Sequence, residues 1–184
     1  MIKEFADEKH QSQAEEFIME LGKFVLAFER VCDVMRYLIM FSLRSQGLKN
    51  QGIEQVIVGD KAAAELQILL GAIYCELPKQ DESDRKCVKD LLKDFKEITE
   101  KRNILLHSSW DLGSGAADQK LYAATIRFRA KQNSGSSAEI HGHSASYIRD
   151  LSNQLKRVQV LLQRLHYCVT QNGFKVSSEF ARSM

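Results

Sequence analysis

The chain has 184 residues, 27% of them charged and 44% apolar, with 26 Lys/Arg against 24 Asp/Glu and a formal net charge of +2. That length suits one domain with a substantial core, and the composition is that of a globular chain, excluding a disordered polyelectrolyte and a collagen-like repeat. The balance hides an asymmetry. Residues 119–184 hold ten Lys/Arg and three Asp/Glu, a net of +7, while residues 1–118 hold 16 basic and 21 acidic residues, a net of −5. A basic half is compatible with a polyanionic partner and equally with a solvated, lysine- and arginine-rich surface.

Met1 to His10 is acidic and polar and lacks the basic start and apolar middle of a signal peptide. From about residue 11 to 46 one long helix is predicted, with Phe17, Leu21, Phe24, Phe28, Val31, Met35 and Leu38 at three-four spacing. Its most apolar part, Val31 to Leu43, is too short to span a bilayer and carries Asp33 and Arg36. Gly47 is placed to end this helix. Asn50 to Val58 reads as a short helix or an irregular turn.

Asp60 is placed to cap a second long helix, with Leu66, Leu69, Ile73 and Leu77 facing inward and Pro78 ending it. Asp81 or Ser83 caps a third, running to about His107 on a stripe of Val88, Leu91, Phe95, Ile98, Arg102 and Leu105. Trp110 to Gly115 is rich in glycine and serine, with Trp110 expected to plug the end of a helical bundle. Tyr122, Ala124, Ile126, Phe128 and Ala130 then alternate with Ala123, Thr125, Arg127, Arg129 and Lys131, a period-two strand with one apolar and one basic face. Gln132 to Ser137 reads as a turn, and Ala138 to Gly142 as a short returning strand. Ser144 or Ser146 opens the last helix, whose stripe is Ile148, Leu151, Leu155, Val158, Leu162, Leu165 and Val169, with Gly173 at its end. The expected fold is mainly α, an antiparallel four-helix bundle with a short β-hairpin inserted before the last long helix. It forms a single domain over residues 1–184, with 1–10 and 174–184 as flexible tails.

The four cysteines, Cys32, Cys75, Cys87 and Cys168, show no zinc-ligand spacing and read as reduced, buried thiols of a cytoplasmic protein. His141 and His143 fall on one side of an extended segment without further ligands nearby, so they read as a loop pair and no metal or cofactor is expected. His166 flanks the last stripe and reads as packed.

The chemically telling residues are Arg102, Asn103 and His107, which share about one and a half turns of helix. Arg102 stands where the stripe calls for an apolar side chain, and a charge there is costly unless it is paired or faces a cleft. On a helical wheel Asn103 lies near 100° and His107 near 140° from Arg102, so the trio covers one flank. A guanidinium matches phosphate and stays charged, an imidazole moves protons near neutrality, and a carboxamide orients either. The set suits attack of a ribose 2′-hydroxyl on its own phosphodiester. It also suits a structural reading, in which Arg102 pairs with Glu29 or Asp33 of the first helix and His107 meets the C-terminal helix dipole. Arg127, Arg129 and Lys131 would guide a phosphate backbone, or protect an edge strand from aggregation.

Arg102-Asn103-Ile104-Leu105-Leu106-His107 resembles the R-N-x-x-x-H motif of the HEPN superfamily (higher eukaryotes and prokaryotes nucleotide-binding), which sits at the end of a bundle helix. The continuation through Trp110, a strand pair and a long amphipathic helix is similar to small bacterial HEPN-like proteins, with Ser108 where these often carry glycine. The resemblance implies a helical bundle that forms a homodimer with two motifs across a shared cleft. It further implies metal-independent endoribonuclease activity of toxin–antitoxin or phage-defence type, with Arg102 stabilising the phosphorane, His107 transferring protons and Asn103 orienting the site. Its partners would be RNA and a nucleotidyltransferase-like antitoxin. Other members of the superfamily are non-catalytic RNA-binding or protein-interaction modules.

Overall fold

In the computed structural model residues 8–78, 80–114, 121–131, 135–170 and 175–181 are described. The expected helix end at Gly173, residues 132–134 of the turn expected at 132–137, and the side chains of Tyr122, Phe128, Arg129 and Lys131 lie outside the described set; residues 135–137 of that turn are strand instead, paired with 129–131. Among the described residues the chain is mainly helical with one small antiparallel sheet: α1 (Glu8–Ser45), α2 (Gln51–Val58), α3 (Ala63–Glu76), α4 (Glu82–Leu106), β1 (Ser109–Ser114), β2 (Leu121–Lys131), β3 (Gly135–His143), α5 (Ala145–Thr170) and α6 (Val176–Ala181). No described helix is long and apolar enough to cross a membrane. The chain divides into two compact units. One holds residues 1–26 and 100–153, and the other residues 27–99 and 154–184.

The first unit contains the start of α1, the end of α4, the sheet and the start of α5. The sheet has the order β1-β2-β3, with Trp110 opposite Thr125 and Thr125 opposite His141. It therefore has one strand more than the expected hairpin. The glycine- and serine-rich signal at 113–115 hid β1, which gains its regularity from pairing with β2 and not from its own composition. Ala14, Phe17, Phe24, Leu105, Ile148 and Leu151 are buried here. Ala123, Ala124 and Thr125 are buried in succession, so β2 is covered on both faces at this point. The expected division into one apolar and one basic face does not hold there; Arg127, the basic residue of β2 whose side chain is described, is exposed. Glu20, on α1, is buried where the stripe predicted neighbouring Leu21, which is half-buried. A hydrogen bond from Lys23 at 2.9 Å, with Arg149 3.6 Å away, holds the Glu20 carboxyl below its ordinary pKa.

The second unit contains the rest of α1, all of α2 and α3, most of α4 and α5, and α6. Phe28, Val31, Met35, Leu38, Phe95 and Leu162 are among its buried side chains, with Phe28 and Phe95 stacked at 5.2 Å. Gly47 adopts φ +98°, a left-handed conformation, and closes α1 as expected, with Leu48 N bonded to Leu43 O. Asn50 resolves the ambiguity at 50–58, because its Oδ1 accepts from Gly52 N and Ile53 N and starts α2. Asp60 does not cap α3. Ala62 N instead donates to Glu65 Oε2 at 2.9 Å, and the inward residues are Leu66, Gln67, Leu70 and Tyr74, with Leu69 and Ile73 only half-buried. Gln67 is satisfied by Thr99 Oγ1 at 3.2 Å. Asp81 caps α4 through Asp84 N, 2.8 Å.

Of the cysteines, all free, only Cys32 is fully buried; Cys75 is exposed and Cys87 and Cys168 are intermediate. Burial raises the Cys87 thiol and pushes Cys168 up to about 11, which leaves both poor nucleophiles. Within the segment read as a tail, α6 forms with Val176 and Phe180 buried.

Candidate active site

The last turn of α4 carries the sequence-derived trio into the first unit. Arg102 is half-buried, while Asn103 and His107 are exposed. One guanidinium nitrogen, Arg102 Nη1, lies 3.2 Å from His107 Nε2 and donates to Asn103 Oδ1 at 3.3 Å. His107 N bonds to Asn103 O at 3.1 Å, so the helical spiral extends to the histidine and sets its ring beside the arginine. The three groups singled out by sequence therefore meet at one nitrogen.

Trp110 anchors this helix end. Its indole N–H donates to Leu105 O at 2.8 Å, satisfying one of the carbonyls that a helix leaves open at its C-terminus. Its ring meets Phe17 of α1 edge-on at 5.3 Å. Trp110 thus packs against the end of α4 and the start of α1 from β1.

The structure adds residues that sequence reading did not connect. His143, at the end of β3, lies 5.4 Å from the Trp110 ring and 5.7 Å from the Tyr147 ring, centroid to centroid, with the Tyr147 ring stacked on it at 25°. His143 Nε2 shares a 2.9 Å hydrogen bond with Thr125 Oγ1, a fully buried hydroxyl. Burial, and then the neighbouring charge of His141, lower the pKa of His143 from its ordinary value. The only sequence signal was the alternation His141-Gly142-His143, which puts both rings on the sheet face shared by Trp110 and Thr125. Among the described residues no group of three or more His, Cys, Asp or Glu is arranged to hold a metal ion.

Arg127 is exposed on β2 opposite Glu139 and is not part of the trio. His166, in the second unit, packs against Phe41 edge-on at 4.6 Å. That unit also has a groove of about 480 Å³ between α1 and α2, lined by Arg36, Tyr37, Phe41, Arg44, Gln51 and Gln55 among others.

Chemically, the trio offers a permanent cation, a ring nitrogen able to accept a proton and an amide to align them, all at an accessible helix end. Comparison with family models, with curated proteins and with solved structures gave no match to this chain.

Proposed function

We propose that this chain is a HEPN-type, metal-independent endoribonuclease that acts as a homodimer. The observation that carries the reading is the Arg102–His107 contact at 3.2 Å, with Asn103 on the same guanidinium nitrogen. In this reading the RNA 2′-hydroxyl takes the place of Arg102 at His107 Nε2 and gives its proton there. The 2′-oxygen bonds to phosphorus, Arg102 turns to the developing phosphorane charge, and the bond from phosphorus to the 5′-oxygen breaks as that oxygen takes a proton from the imidazolium of the partner subunit's His107. The products are a 2′,3′-cyclic phosphate and a 5′-hydroxyl end. Arginine and histidine suffice for each charge and proton in this sequence, so no metal is required by it. A second copy would bring a second Arg102 and His107 to the same phosphate, and two arginines facing each other favour an anion between them. The four-helix bundle, the cytoplasmic setting, the toxin or phage-defence role and the nucleotidyltransferase-like antitoxin belong to the same proposal through the motif resemblance.

Incubation of purified protein with structured and unstructured RNA in EDTA tests it. The expected result is cleavage leaving cyclic phosphate ends, lost in Arg102→Ala and His107→Ala variants that keep wild-type helical circular dichroism. Cleavage by the double variant at the wild-type rate would defeat the proposal. The second reading, a non-catalytic RNA-binding or protein-interaction module, is favoured by Ser108 following His107 and by the small net charge. It expects RNA retention without turnover.

A further inference from the structure

Phe17, Trp110, His143 and Tyr147 form a continuous row of rings in the first unit, with successive centroids 5.3, 5.4 and 5.7 Å apart. The inner end is buried at Phe17, whereas Tyr147 at the outer end is 36% exposed. Packing explains the inner members. It does not explain why the row ends in a part-exposed ring stacked on a histidine.

The row is tied to the Arg102–His107 site by the Trp110 bond to Leu105 O, two residues before His107. Tyr147 is held in place at its backbone, since its N–H donates to Ser144 Oγ at 3.1 Å at the start of α5. His143 is held by Thr125 and partly buried, which favours the neutral ring and sets an aromatic support against Tyr147. The cation nearest in sequence, Arg149, is engaged by Glu16 at 2.7 Å and does not make this end a general anion trap. Arg127 is exposed two residues along β2 from Thr125, on the same sheet face, and offers a charge for a backbone phosphate.

We propose that Tyr147, backed by His143 and Trp110, is a stacking platform for an unpaired nucleobase of single-stranded RNA bound at the Arg102–His107 site. The inference rests on the ribonuclease reading of that site and names its substrate class. A base inside a duplex has both faces occupied by its neighbours, so an exposed ring selects bases that are splayed out. Aromatic stacking tolerates any base, which gives affinity without strict sequence choice.

Two measurements test it. In cleavage of an unstructured RNA, Tyr147→Leu is expected to raise KM by roughly tenfold to a hundredfold, more than it lowers kcat, while Tyr147→Phe retains the wild-type KM. A role in packing alone would instead lower the melting temperature of Tyr147→Leu and leave KM unmoved, and that result overturns the inference while the ribonuclease reading stands. The second measurement uses a 2′-O-methyl oligonucleotide carrying 2-aminopurine, which lacks the attacking hydroxyl. Wild type and Tyr147→Phe should quench its fluorescence and Tyr147→Leu should not. Quenching of this pattern without any cleavage of ordinary RNA keeps the platform and removes the nuclease. Equal quenching by all three proteins, or none by any, overturns the platform.

Discussion

Arg102 Nη1 and His107 Nε2 are 3.2 Å apart, and a guanidinium has only donors to offer. The contact therefore assigns His107 Nε2 as an acceptor and puts the ring proton on Nδ1. This is the tautomer in which Nε2 is free to receive a proton once a substrate hydroxyl displaces the arginine. Long-range ¹H–¹⁵N spectra of the imidazole should show the Nδ1–H form in the wild type and a rising share of Nε2–H in Arg102→Ala. An Nε2–H ring in the wild type would show that the contact is not a hydrogen bond. On RNA, Arg102→Ala and His107→Ala should each lower cleavage by at least about 100-fold, the usual scale for losing a proton-transfer group or a charge-stabilising donor.

His143 makes the first unit sensitive to mild acid. Its pKa in the folded chain is lowered from the ordinary 6.5 by burial and by His141, so the unfolded chain binds its proton first as pH falls. The stabilising contribution is complete above the unfolded value of 6.5 and is lost as pH falls through the lower folded value. Glu20, Glu65 and Asp81 have lowered values too, from starting points of 4.5, 4.5 and 3.8, and so act in a more acidic window. Melting temperatures measured between pH 8 and pH 5 should fall for the wild type and fall less for His143→Gln. Identical slopes would remove His143 as the cause.

The elements that follow from local periodicity were legible in the sequence, and those that depend on distant partners were not. The α4 stripe of Val88, Leu91, Phe95, Ile98 and Leu105 is buried as expected because i, i+3 and i+4 positions share a helix face whatever they pack against. Gly47 and Asp81 act as expected because both work within one turn. The Thr125–His143 bond crosses 18 residues, and no local rule announces it. The α3 cap went wrong for a similar reason. Asp60 had the right chemistry two residues too early, while Glu65 folding back on Ala62 N set the start. At the site, the three residues of the motif were visible as a spacing, but the aromatic row beside them was not, since its members come from α1, β1, β3 and α5.

The Arg44–Glu54 pair joins α1 to α2 and is unequal in its exposure. Arg44 Nε lies 2.8 and 2.7 Å from the two carboxylate oxygens and Nη2 lies 2.6 Å from one of them. The Arg44 side chain is 43% exposed and the Glu54 side chain 1%. Removing the arginine leaves a buried carboxylate without its counter-charge, whereas removing the carboxylate leaves a guanidinium that water can reach. The expected order of melting temperatures is therefore wild type and the Arg44→Met/Glu54→Leu double variant highest, Glu54→Leu lower, and Arg44→Met lowest. Equal losses from the two single variants would mean that desolvation does not dominate this pair.

Asp84 fastens α6 to α4. The carboxylate is 4% exposed, and its Oδ1 accepts the backbone N–H of Ser177 at 2.8 Å, one of the open donors at the start of α6. Lys175 adds an exposed pair with Asp81 at 3.0 Å, and Arg164 donates to Glu179 O at 2.6 Å. A six-residue helix does not hold together on its own, so its order depends on these bonds and on the burial of Val176 and Phe180. Asp84→Ala removes the acceptor and should cost about 1–3 kcal/mol of local stability, which is the usual range for a hydrogen bond to a charged group or an orphaned buried donor. Amide exchange at 176–181 should accelerate by roughly fivefold to a hundredfold or more, with exchange in α1 and α5 little changed, because local opening need not pass through global unfolding. Asp84→Asn keeps an oxygen facing Ser177 N and should retain most of the protection. If Asp84→Ala leaves exchange at Ser177 unchanged, the helix is held by its apolar face and not by the carboxylate.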